Sequence, residues 1–127
     1  MVEKGVQVML KERVQARWDA GENCSRTILL AAAEEYGISL SADILSACSG
    51  IQGGFGIGGI CSGLVAAVMV LGLLFEEETA KVRRLQFLMQ IQERYGFLDC
   101  GRLSLQKADC SVLLSEIAEI LQDIIET

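Results

Sequence analysis

The sequence predicts an all-α fold, a bundle of five or six helices around a buried central helix at about residues 60–75. Three observations carry this. Apolar residues recur at helical spacing in several segments, and no segment alternates with a period of two. The chain has no proline among its 127 residues, so helices run on until one of its 13 glycines stops them. One stretch, Ile60 to Phe75, is apolar on every face, as the central helix of a bundle is. With 51% apolar residues the chain can bury a full core, and its length suits a single helical domain over residues 1–127.

Each element has its own signal. Val2, Val6, Met9, Leu10, Val14 and Trp18 form one apolar stripe with charged residues between them, an amphipathic first helix that Gly21 ends. Asn23 is suited to cap a second helix, which runs through Ile28, Leu29, Ala32 and Ala33 to Tyr36 and stops at Gly37. Ser41 can cap a short third helix reaching about Ser49. Six glycines in the ten residues from Gly50 to Gly59 fit no regular element and predict a loop with close backbone contacts.

In the central segment Gly59, Gly63 and Ala67 recur every fourth residue, leaving a stripe against which a neighbouring helix can pack closely. A further helix from about Glu77 to Tyr95 is expected to bury Val82, Leu85, Leu88 and Met89 before Gly96 ends it. Cys100 falls in a tight turn or short helix. The last helix begins near Asp109 and buries Leu113, Leu114, Ile117, Ile120, Leu121 and Ile124.

Composition removes several function classes. There is no histidine, so neither a Ser-His-Asp nor a Cys-His site can be built within the chain, and the commonest metal ligand is missing. Net charge is −6, no basic residue lies between Arg26 and Lys81, and after Lys107 every charged side chain is acidic. Phosphate backbones need clustered Lys and Arg, so nucleic acid is not an expected partner. The glycine-rich segment is followed by no Lys-Ser or Lys-Thr and preceded by no strand pattern, which argues against a phosphate-cradling loop. Residues 44–75 carry no charge, yet the glycines divide them. The remaining 16 or so residues fall short of the ~20 that a membrane span needs. The charged, signal-free first eighteen residues point to the cytoplasm, where cysteines more often serve metal or redox chemistry than structural disulfides.

Five cysteines remain. Cys24 follows the capping Asn23, Cys61 follows Gly58-Gly59-Ile60 at the head of the central helix, Cys100 follows Asp99, and Cys110 follows Asp109. All four lie at predicted helix starts, where unpaired N–H groups and the helix dipole favour an anion such as a thiolate. Cys48, near the end of its helix, reads as packing. A buried cysteine is often only a small hydrophobe, and that reading competes at every one of these positions. Gaps of 36, 38 and nine residues separate the four in turn. No C-x-x-C pair, zinc ribbon or ferredoxin spacing results, so a shared site has to be assembled by the fold.

These residues resemble a family of small redox-active bacterial proteins named for the C_GCAxxG_C_C cysteine pattern. The likeness rests on Asn23-Cys24, Glu34-Glu35-Tyr36-Gly37, the glycine-rich approach to Cys61, and Val68-Met69-Val70-Leu71-Gly72-Leu73-Leu74. Arg94-Tyr95-Gly96 before Cys100, and the late Cys110, complete it over roughly residues 20 to 125. The resemblance implies that Cys24, Cys61, Cys100 and Cys110 are the family's four cysteines, with Cys48 an addition. Set against a Cys-Gly-Ala-x-x-Gly box, Cys61-Ser62-Gly63-Leu64-Val65-Ala66 replaces small residues by small ones.

Three functions follow. In the first, the four cysteines cycle between dithiol and disulfide with an unidentified redox partner and need no cofactor. Cys100 pairs with Cys110 by proximity in sequence, and Cys24 with Cys61 if their helices pack together. In the second, the same four hold a metal, an iron–sulfur cluster before zinc. In the third, the chain is a non-catalytic helical module whose acidic last helix or small-residue stripe binds a partner or a second copy. Two close sulfur pairs favour the first, four sulfurs about one centre the second, and scattered sulfurs neither.

Overall fold

A computed structural model describes residues 9–106 and 110–127. Within them lie seven α-helices and no strand. The first, α1 (Leu10–Asp19), buries Leu10 and Val14, while Val2 and Val6 of the expected stripe lie outside the described residues. The second, α2 (Cys24–Tyr36), begins as its sequence predicts: the Asn23 side chain accepts from the Arg26 N–H at 3.0 Å, and Gly37 closes the helix in the left-handed region. Ser41 caps α3 (Ala42–Ala47) through the Ile44 N–H at 3.2 Å, and a 3₁₀ turn over Cys48–Gly50 continues it.

The central helix is α4 (Ser62–Leu74). It packs against α2, α5 (Glu77–Tyr95) and α7 (Cys110–Glu126), and buries Leu64, Ala66, Ala67, Val70 and Leu71 completely. The close-packing stripe is real at Gly63: a methyl group there would meet Leu114 of α7 at 2.8 Å. The acidic run after the central helix has a structural use. Glu76 caps α5, its carboxylate accepting from the Thr79 and Glu78 N–H groups at 2.8 and 3.2 Å. No helix among the described residues is long and apolar enough to cross a membrane.

The face of α5 is a correction. Val82, Leu85 and Met89, expected inside, are 57%, 60% and 58% exposed, and Leu88 is half-buried. The helix instead turns Phe87, Ile91 and Tyr95 into the core. Arg83 shares that side: it stacks over Phe75 and donates to the Ile124 carbonyl at 2.7 Å. Two apolar stripes run along α5 at the same spacing, and the one bearing the two aromatic rings buries more area. The expected core positions of α7, by contrast, are all buried.

Between α5 and α7 comes the short α6 (Cys100–Gln106), which the sequence left between turn and helix. Asp99 caps it, accepting from the Arg102 N–H at 2.9 Å. A two-bond antiparallel bridge ties its start to that of α4: the Cys61 N–H donates to Leu98 O at 3.0 Å and the Cys100 N–H to Gly59 O at 2.7 Å. On the far side, α1 packs between α2 and α7. Arg13–Glu35 and Arg17–Glu34 join it to α2, and the Gln122 side chain accepts from the Leu10 N–H at 2.9 Å, satisfying a helix-start donor.

Candidate functional site: a cavity lined by four thiols

Four helix starts meet at one end of the bundle, and each delivers a cysteine. Cys24 opens α2, Cys61 is the N-cap of α4, Cys100 opens α6 and Cys110 opens α7. All four line a single cavity of about 200 Å³, together with Gln52, Gly53, Ser62, Leu103, Leu113 and Leu114. None is in a disulfide. Cys48 lies apart from this cavity, buried, with its thiol donating to the Ile44 carbonyl at 3.5 Å, the packing role its position suggests.

Within the cavity the four thiols are not equivalent. Of the neighbouring thiols, Cys110 bears most on Cys24. Cys100 in turn bears most on Cys61, and the bridge between Ile60 and Asp99, the residues just before the two cysteines, ties their positions together. The helices that carry Cys24 and Cys61 do pack together, the condition set by the sequence for pairing those two. Nine residues separate Cys100 from Cys110, but those two head different helices, and the contact each makes is decided by how α6 and α7 pack.

The electrostatics also depart from expectation. Burial pushes the Cys24 thiol up from its ordinary value to about 12, with the neighbouring Cys110, Cys61 and Cys100 adding to the shift. Burial raises Cys61 as well. There the N–H groups of Leu64 and Gly63 at the start of α4 pull the other way, short of making a cap hydrogen bond, and they do not win. The helix-start effect is present, but a site only 4% exposed penalises a thiolate more than a helix end stabilises it. At neutral pH both cysteines are held as protonated thiols.

The glycine-rich segment forms one wall. Gly53, Gly54, Phe55 and Gly56 all have φ between 62° and 79°, a left-handed turn, and Phe55 is the one non-glycine residue in that region among those described. The Gly54 carbonyl accepts from the Gly59 N–H at 2.8 Å, and a methyl group on Gly54 would fall 2.4 Å from the Gly59 backbone. This contact holds Gln52 and Gly53 on the cavity side. Gln52 and Leu103 were not anticipated as site residues. Gln52 is the only polar side chain in Gly50–Gly59, a signal that was available. Leu103 stands three residues after Cys100, legible only once α6 is known to be a helix.

Sharing a cavity wall is not the same as converging on a point. Among the described residues no three Cys, Asp or Glu side chains meet as the ligand set of a metal ion.

The family model described as "Putative redox-active protein (C_GCAxxG_C_C)" matches residues 22–124. The chain belongs to this family. The match begins at the turn before Cys24 and takes in all four cavity cysteines. No curated protein and no solved structure matches the chain.

Proposed function

We propose that this member of the redox-active family works by dithiol–disulfide exchange, using two neighbouring pairs, Cys24 with Cys110 and Cys61 with Cys100. The observation that carries the reading is the convergence of four helix starts, distant in sequence, on one thiol-lined cavity. In each pair one thiolate attacks an incoming disulfide and its neighbour resolves the mixed disulfide, so two thiols become one disulfide and two electrons leave. Cys24 and Cys61 rest as protonated thiols, so the attacking thiolate has to form by loss of a proton before exchange begins. The metal alternative is not favoured, because the donors do not gather as a ligand set.

Thiol titration before and after oxidation tests the proposal. Reduced protein should give five titratable thiols in denaturant. Oxidised protein should give one, Cys48, with peptide mapping linking Cys24 to Cys110 and Cys61 to Cys100. Cys110→Ser should strand Cys24 and trap a mixed disulfide on it. Thiol counts that do not change with the applied potential would remove the reading altogether.

A further inference from the structure

The cavity also limits what can reach the thiols. Its volume of about 200 Å³ is below the ~300–1,000 Å³ of ordinary small-molecule pockets. Its wall is made of four thiols, three leucines, a glycine, the Ser62 hydroxyl and the Gln52 amide, and among the described residues no charged side chain lines it. The ion pair beside it is already satisfied: the Asp99 carboxylate is held by the Arg102 guanidinium at 2.7–2.8 Å, and that guanidinium stacks on Phe97. An ion entering such a space gives up its hydration and gains no countercharge from the described residues.

We propose, on the basis of the dithiol–disulfide reading above, that the substrates of this cavity are small uncharged disulfide compounds. One cysteine loses its proton to solvent, and its sulfur attacks one sulfur of the compound. The S–S bond breaks, and the departing thiolate takes a proton and leaves as a thiol. The neighbouring cysteine then attacks the protein sulfur of the mixed disulfide and releases the second half as a thiol. The protein gains one disulfide and loses two protons and two electrons, and the compound becomes two thiols.

The test is a charge series at constant size. Reduced protein is mixed with bis(2-hydroxyethyl) disulfide, which is neutral, with cystamine, a dication, and with 3,3′-dithiodipropionate, a dianion. Each rate is divided by that of a small free thiol with the same reagent, at one pH and at high salt to screen the protein's net charge of −6. The neutral compound is expected to react at least about tenfold faster than either ion. If cystamine matches or exceeds it, surface charge governs access and the substrate class is wrong, and a dianion that matches it overturns the class equally. Diamide is run in parallel. If neither it nor any of the three lowers the thiol count, the dithiol–disulfide reading itself fails, and the substrate class falls with it.

Discussion

At the scale of single residues, Cys24 shows burial overriding position. It opens α2 behind a well-formed Asn23 cap, where a thiolate ought to be favoured, yet its thiol is pushed up to about 12. The sign of the pH dependence follows. Between the ordinary value of 9.0 and about 12 the unfolded chain has lost this proton and the folded chain has kept it, so the unfolded state binds fewer protons. Stability of the reduced protein is therefore at its full value below pH 9 and falls as the pH rises through that window. Cys61 shifts in the same direction and adds to the loss. Denaturant midpoints of reduced protein should drop from pH 8 to pH 10.5, and Cys24→Ser should flatten the drop. Alkylation of Cys24 should likewise be slow at pH 7 and still be accelerating above pH 9, read by mass spectrometry.

Among the elements, the left-handed turn and the α4–α7 contact set the cavity walls. Gly54 combines a positive φ with a backbone approach that leaves no room for a methyl group, so Gly54→Ala should cost more than about 2 kcal/mol in chemical unfolding. At Phe55 the φ of 65° is the strain, and side-chain type decides how it is borne. Phe55→Val should destabilise by about 1–2 kcal/mol, whereas Phe55→Asn, which tolerates this region, should be nearly neutral. Gly63→Ala has a different cause. The new methyl meets the end of Leu114 at 2.8 Å and lies 3.7 Å from the Cys61 sulfur, so it should cost about 1–3 kcal/mol and also alter the rate at which Cys61 oxidises.

For the molecule as a whole, α5 separates what holds the bundle from what lies on its surface. Phe87 is fully buried on α5, the helix that packs against α4 and α7, and Phe87→Ala should cost about 3–5 kcal/mol. Val82, Leu85 and Met89 make an equally regular stripe but face outward, and Leu85→Lys should change stability by no more than about 0.5 kcal/mol. Thermal or urea unfolding of the two variants distinguishes the observed face from the one that periodicity alone suggests.

Helix starts and stops were legible from local chemistry. Asn23 and Gly37 bound α2, Ser41 caps α3 and Gly96 closes α5, because a cap satisfies donors or acceptors within its own turn and needs no distant partner. For the same reason the four cysteines could be placed at helix starts from sequence. Three things needed the folded chain: which stripe of α5 turns inward, which thiol lies beside which, and whether a helix end or a buried wall controls a cysteine's proton. Each depends on groups that are far apart in sequence and adjacent only after packing, and burial is a property of that packing and of no single segment.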